Sequence, residues 1–66
     1  MHILINGINE HLTAPLTLQE LITSKGLDPA VVVAELNREI IPGEQFSETT
    51  LREGDHLELL RFVGGG

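Results

Sequence analysis

The sequence predicts an α+β fold in which one main helix packs on one face of a four- or five-stranded mixed sheet. Three observations lead to this prediction. The order of elements is two short strands, a helix, two more strands, an irregular segment and a final strand. The length of 66 residues allows one small domain. The chain has no cysteine, so apolar packing must stabilise the domain without disulfides.

The first two strands are predicted to form a hairpin around Asn6-Gly7. Asn-Gly between two apolar runs favours a type I′ turn, which needs a positive φ at both central residues. We place strand 1 at residues 2–6 and strand 2 at about residues 8–13. Pro15 ends the pairing, since proline has no N–H to donate to a ladder.

The helix is predicted to begin after Thr17. Thr17 and Glu20 have the spacing of a capping box, and Leu16 and Leu21 have the spacing of a hydrophobic staple. Gly26 suits the left-handed position that often follows the last turn of a helix. A helix of about eight residues does not form alone in water, so it needs the sheet to pack on.

Strands 3 and 4 are predicted to form a second hairpin. The β-branched run at residues 31–36 predicts strand 3, and residues 39–41 predict a short strand 4. The Asn37-Arg38 pair between them is typical of a tight turn, and Pro42-Gly43 ends the second strand.

The last third of the chain combines an irregular segment with the final strand. Residues 44–53 show no regular period, and we predict that Phe46 and Leu51 in this segment pack onto the core. The final strand is predicted at residues 56–63.

The glycines Gly64, Gly65 and Gly66 are the most unusual pattern in the sequence. We divide the chain into a domain of residues 1–63 and a flexible glycine tail of residues 64–66. Glycine lacks a Cβ atom, so such a tail can thread a narrow channel and bring the α-carboxylate of Gly66 into another protein's active site. This carboxylate is ionised at neutral pH and is a poor electrophile, so another enzyme must activate it.

The charge balance argues against two classes of partner. Ten acidic and four basic residues give a formal net charge of -6, whereas nucleic acids and anionic membranes attract basic proteins. No apolar run approaches the roughly 20 residues that span a bilayer, and the start of the chain lacks the pattern of a signal peptide. We therefore expect a cytoplasmic protein.

The polar residues do not predict a catalytic or metal site. The three histidines, His2, His11 and His56, lack a ligand spacing such as His-x-x-x-His, and we interpret them as solvated. The carboxylates are spread along the chain without the paired placement that acid–base catalysis requires. We expect a protein that is not an enzyme, with no catalytic residues, no metal and no bound cofactor.

Alternation along the strands predicts a second apolar face. If Leu57 and Leu59 of the last strand pack on the helix, the residues between and after them point away from it. Such exposed apolar surface usually marks a partner site. The residues predicted to form this partner-binding patch are Leu4, Val32, Ala34, Leu60 and Phe62.

Four segments of the chain are together similar to the pattern of one family. They are Ile3-Leu4-Ile5-Asn6-Gly7, Leu36-Asn37-Arg38-Glu39-Ile40-Ile41-Pro42, Gly54-Asp55 and Val63-Gly64-Gly65-Gly66. Over its whole length the chain resembles the ThiS family, sulfur carriers of thiamine biosynthesis with a ubiquitin-like β-grasp fold. Three positions depart from the family's usual residues: Gly43 stands where Arg is frequent, Phe46 where Trp is frequent, and Gly64 where Ala is frequent.

The resemblance implies a function for the tail. An E1-like enzyme, ThiF, would use ATP and Mg²⁺ to adenylate the Gly66 carboxylate, and sulfur from a cysteine-derived persulfide would displace AMP. The resulting C-terminal thiocarboxylate would donate its sulfur to thiazole synthase, ThiG. Gly64 and Gly65 would thread the partners' active sites. ATP and Mg²⁺ would belong to the activating enzyme, not to this chain.

Three other functions stay open at the level of sequence. The small subunit of molybdopterin synthase is another β-grasp carrier with a Gly-Gly end, although it is usually longer and often has prolines near the end of its last strand. A ubiquitin-like modifier would be joined to lysines of target proteins. A plain interaction module would use the domain and not the tail.

Overall fold

The computed structural model describes residues 1–61. The predictions for Phe62 and for the glycine tail, residues 64–66, lie outside the described residues. The regular elements are β1 (His2–Ile5), β2 (Ile8–His11), α1 (Leu18–Ser24), β3 (Val32–Leu36), β4 (Glu39–Ile41) and β5 (His56–Arg61). Two 3₁₀ segments, Pro29–Val31 and Gly43–Glu48, lie between these elements.

The five strands form one mixed sheet with the order β2-β1-β5-β3-β4. The central strand β5 is parallel to β1 and antiparallel to β3, and the two hairpins lie on either side of it. With α1 packed on one face, this is the α+β architecture predicted from the sequence. No helix within residues 1–61 is long and apolar enough to cross a membrane.

Both hairpin turns have the backbone conformation that their residues favour. Asn6 and Gly7 have φ angles of 50° and 80°, and Asn37 and Arg38 have φ angles of 50° and 72°. Two consecutive positive φ angles are the mark of a type I′ turn, whose twist matches that of the flanking strands. The first strand therefore ends at Ile5, one residue earlier than predicted.

The helix begins and ends as its sequence predicts. The Thr17 hydroxyl accepts a hydrogen bond from the Glu20 N–H at 3.1 Å, and the Glu20 carboxylate accepts one from the Thr17 N–H at 2.9 Å. Gly26, just after the helix, has a φ of 76°. The Lys25 ammonium lies 2.9 Å from both carboxylate oxygens of Glu10, an exposed pair that connects the helix end to β2 and contributes about 1 kcal/mol or less.

The hydrophobic core lies between α1 and the sheet. Phe46 and Leu51, from the irregular segment, are almost fully buried at its margin, which confirms their predicted packing. The other buried apolar residues come from the helix and the strands: Ile3, Ile5, Leu18, Leu21, Ile22, Val32, Ala34, Leu57 and Leu59.

The orientation predicted for strand 3 is wrong. Val32 and Ala34 were assigned to the face away from the helix, but both are buried beneath it. The reason is the register with β5: Ala34 lies opposite Leu59, so the two side chains share the helix-facing side of the sheet. Val33 and Glu35 take the opposite side, and Val31 belongs to the preceding 3₁₀ segment instead of the strand.

Candidate functional site

The last described strand, β5, lies at the centre of the sheet. β5 is hydrogen-bonded on both sides, and its pairing with β3 extends to its final residue, Arg61, which lies opposite Val32. Residues 62–66 follow directly. The described chain thus ends in the central strand of the sheet, which is paired with β1 on one side and with β3 on the other.

Asn6 extends the contact between β1 and β5 beyond the point where β1 turns away. The Asn6 N–H donates to the Leu57 carbonyl at 2.9 Å, as in a regular parallel ladder. The side chain continues the pattern: its Oδ1 accepts from the Leu59 N–H at 2.7 Å, and its Nδ2 donates to the Leu59 carbonyl at 3.3 Å. The amide group therefore satisfies backbone groups of β5 that no strand residue of β1 reaches.

Asn37 acts in the same way on the other side of β5, at its start. The Asn37 N–H donates to the His56 carbonyl at 2.8 Å, and Oδ1 accepts from the His56 N–H at 2.9 Å. Its Nδ2 donates to the Asp55 carboxylate at 3.0 Å, which also accepts from the Arg52 N–H at 2.7 Å. Two asparagines, each in a type I′ turn, thus fix β5 from opposite sides.

The face of the sheet away from α1, called here the outer face, is partly apolar. The apolar residues on it are Leu4, Val33, Ile40 and Leu60, named here the outer-face patch. Leu60 and Ile40 are exposed by 62% and 61%, and Val33 and Leu4 are half-buried. Val33 lies directly opposite Leu60, so an apolar pair stands one residue before the end of β5.

Two carboxylates border this apolar pair. Glu35 of β3 and Glu58 of β5 lie directly opposite each other on the outer face, two residues along each strand from Val33 and Leu60. On its other side, Glu35 lies opposite Ile40 of β4. Like charges facing each other across a ladder disfavour the isolated domain slightly. A partner that presents apolar and basic groups together would be complementary to both rows.

The structure brings together only part of the predicted patch. Leu4 and Leu60 are on the outer face, as their alternation predicts, while Val32 and Ala34 belong to the core. Val33 and Ile40 take their place, and Phe62 is outside the described residues. The role of this surface in partner binding stays a prediction.

Sequence reasoning missed the side-chain roles of Asn6 and Asn37. It assigned both to tight turns, which is correct, but a turn needs only their backbone conformation. A signal was present: in both turns asparagine stands first, and its side chain can act as donor and acceptor at once. The partner residues, however, are far away in sequence: His56 is 19 positions from Asn37, and Leu59 is 53 positions from Asn6.

The described part of the chain offers little for catalysis. Among residues 1–61 no group of three or more histidine, aspartate or glutamate side chains could hold a metal ion. A shallow open groove of about 280 Å³ is lined by Asn37, Arg38 and His56. All three side chains are exposed, so the groove does not exclude the water that would compete with a ligand.

Comparison with known proteins assigns this fold to a family. The sequence profile of the ThiS family matches residues 3–66, which includes all three terminal glycines. The chain belongs to the ThiS family. The crystal structure of the thiamine biosynthesis protein ThiS from Geobacter metallireducens is similar over the full length of both chains, with a TM-score of 0.85 and 33% identity. The ubiquitin-like β-grasp fold implied by the resemblance is confirmed.

Curated relatives of two kinds resemble this ThiS-family chain. The sulfur carrier protein ThiS of Bacillus subtilis is 42% identical over 50 residues, which are 76% of each chain. A thiazole synthase of Paramagnetospirillum magneticum is 35% identical over all 66 residues, but the chain spans only 20% of that protein's length. A segment like this chain therefore also occurs within a larger polypeptide.

Proposed function

We propose that this ThiS-family chain is a sulfur carrier of thiamine biosynthesis, with Gly66 as the residue that carries the sulfur. The observation that carries the proposal is the family match through residue 66. It is supported by β5, the strand that precedes the tail in sequence, which Asn37 holds at His56 and Asn6 holds at Leu59. The three terminal glycines have no side chains, which suits a segment that must enter another protein's buried active site.

The chemistry begins with activation of the carboxylate. A carboxylate oxygen of Gly66 attacks the α-phosphorus of ATP, and pyrophosphate leaves, which gives an acyl adenylate. The ThiF enzyme binds the ATP and Mg²⁺ used in this step. The cation neutralises the phosphate charge that opposes the attack. The mixed anhydride is a far better electrophile than the free carboxylate.

Sulfur transfer then requires a persulfide and a thiol. The terminal sulfur of a cysteine persulfide attacks the acyl carbon, and AMP leaves with the electron pair of the C–O bond. A thiol cleaves the S–S bond of the resulting acyl disulfide, so that the thiol is oxidised to a disulfide and the thiocarboxylate is released. This chain has no cysteine, so both sulfur groups come from partner proteins.

Thiazole synthase, ThiG, is the proposed acceptor of the sulfur. Two proteins named thiazole synthase contain a segment that is 35% and 32% identical to all 66 residues of this chain. Covalent connection of the two parts in those proteins supports a functional partnership here. The chain itself contributes no catalytic group to this scheme: it is a substrate handled by enzymes.

Intact-mass measurement tests the proposal. The chain is incubated with its cognate adenylating enzyme, ATP, Mg²⁺ and a persulfide donor, and we expect the mass change for one oxygen replaced by one sulfur. Deletion of Gly66 should abolish the change, as should an extension of two residues beyond it. Circular dichroism of both variants should match the parent, which shows that the loss is chemical. Sulfur retained in either variant would contradict the proposal.

A further inference from the structure

His2 and His11 face each other across the first hairpin. They are directly opposite in the register of β1 and β2, and their ring centroids are 4.8 Å apart with an angle of 39° between the ring planes. Both side chains are exposed, on the outer face of the sheet. Nothing in the proposed sulfur chemistry uses either residue.

Opposite residues of an antiparallel ladder form either hydrogen-bonded or non-hydrogen-bonded pairs, and His2 and His11 form the second kind, in which the two residues are closer together. Met1 and Leu12 exchange hydrogen bonds with each other, at 2.7 Å in both directions, and form a hydrogen-bonded pair. The next position, His2 with His11, is therefore a non-hydrogen-bonded pair, where side chains come nearest. In agreement, the His2 N–H donates away from β2, to the Glu53 carboxylate at 3.0 Å.

We propose that His2 and His11 form a two-histidine site for a divalent transition-metal ion. When two imidazole nitrogens bind one metal at about 2.0–2.1 Å and an angle of about 90–110°, the ring centroids are separated by about 4.5–5.2 Å. The observed 4.8 Å lies within this interval. Rotation of two exposed rings can then direct one nitrogen of each toward the metal without movement of the strands.

The ligand set defines the class of metal. Neutral imidazole suits Cu²⁺, Ni²⁺ and Zn²⁺, and Cu²⁺ binds most tightly in this series. The rest of the coordination sphere is water, since no third ligating side chain joins the pair within residues 1–61. The Glu53 carboxylate, held at the His2 backbone, adds a negative charge nearby, and the net charge of -6 also favours a cation.

The site is separated from the sulfur chemistry. The His2 carbonyl accepts from the Gly54 N–H, so the pair lies level with the residues before β5 begins. The tail leaves from the other end of β5, roughly 20 Å away at about 3.3 Å per residue. Metal binding and sulfur loading can therefore be measured independently.

Titration of the full chain with CuCl₂ in a non-coordinating buffer tests the site. We expect one Cu²⁺ per chain, with an electron paramagnetic resonance spectrum that shows two nitrogen ligands. His2→Gln and His11→Gln should each raise the Kd at least tenfold. His56→Gln is the matched control, because His56 is exposed on the same face without a histidine opposite, and its Kd should stay within twofold of the parent.

Two results would overturn the proposal. If His11→Gln binds Cu²⁺ as tightly as the parent, the ligands are not a cross-strand pair. If His56→Gln weakens binding as much as the other two, the ion associates with histidines without a defined site. A thermal scan gives a second readout: bound metal joins β1 to β2 and should raise the Tm of the parent, but not that of His2→Gln or His11→Gln.

Discussion

The side-chain oxygen Oδ1 of Asn6 accepts a hydrogen bond from the Leu59 backbone N–H at 2.7 Å, across 53 positions of sequence. By this contact the first turn of the chain helps to hold its last described strand. A turn residue near the beginning of the chain therefore contributes to the position of Leu59, close to the last described residue, Arg61.

Replacement of Asn6 should loosen β5. Asn6→Gly keeps the positive φ but removes both side-chain hydrogen bonds to Leu59, and we expect a loss of about 1–3 kcal/mol in the free energy of unfolding. Asn6→Ala should cost about 1 kcal/mol more, since alanine disfavours a left-handed backbone. Urea denaturation measures both. Asn9→Ala, on the exposed edge strand, should change stability by no more than about 0.5 kcal/mol.

Hydrogen exchange locates the effect of the same variants. The Leu59 amide should exchange faster in Asn6→Gly than the global loss of stability explains, because its acceptor is gone. An unchanged Leu59 protection factor, relative to the other amides of β5, would mean that the Asn6 side chain does not hold the strand.

Leu60 and Ile8 form a matched pair for testing the outer-face patch. They are exposed by 62% and 65%, but Leu60 is on the outer face, whereas Ile8 lies opposite Ile5 and so on the helix side. Leu60→Gln should raise the Kd for the adenylating enzyme at least tenfold, and Ile8→Gln should change it less than twofold. Glutamine adds no charge, and surface plasmon resonance gives both values.

The same two variants must keep their fold for this comparison to hold. Each should unfold within about 1 kcal/mol of the parent, since neither side chain is buried. Equal weakening of binding by both variants would contradict a specific role for the outer face.

The capping box should be a measurable part of the stability of this small domain. Thr17→Ala removes the acceptor for the Glu20 N–H and should cost about 1 kcal/mol. In a double-mutant cycle with Glu20→Ala, the two losses should not add, because the reciprocal bonds form one unit. Gln19→Ala, exposed in the same turn, is the control. Additive losses in thermal denaturation would show that the two bonds act separately.

Gly26 and Gly43 should respond differently to alanine. Gly26 has a φ of 76°, and no atom lies within 4 Å of an added Cβ, so Gly26→Ala should cost about 1 kcal/mol from backbone conformation alone. Gly43 has no positive φ, and an added Cβ would lie 4.0 Å from Phe46, an ordinary contact. Gly43→Ala should therefore be neutral or slightly stabilising in urea denaturation.

Local sequence rules predicted the local structure of this protein well. The Asn6-Gly7 and Asn37-Arg38 turns and the Thr17 cap each depend on residues a few positions apart, and all are present. These rules could not give the strand order, because no local pattern states which strands are neighbours. The placement of β5 between the two hairpins is a property of the whole chain.

Strand 3 shows where alternation alone is insufficient. Its residues are apolar on both faces up to Ala34, so alternation allows two orientations, and the predicted orientation of Val32 and Ala34 is wrong. Glu35 was the available signal, because a carboxylate is rarely buried without a partner and so marks the outer face. The register opposite Leu59 decides the matter in the structure.

The histidine pair could have been found from the sequence. With Asn6 and Gly7 as the two turn residues, positions that face each other in the hairpin have numbers that sum to 13, as His2 and His11 do. A spacing such as His-x-x-x-His is typical of ligands on one face of a helix, whereas the spacing of ligands across a hairpin depends on the position of the turn. The predicted hairpin around Asn6-Gly7 therefore places His2 and His11 opposite each other.

The placement of β5 has a consequence for how the molecule folds. Without β5 the two hairpins are not joined into one sheet, since β1 and β3 do not pair with each other. The sheet closes only when residues 56–61 lie between them. Cooperative folding therefore depends on β5, and the apolar residues of β1, β3 and α1 have no complete core to enter before this strand is in place.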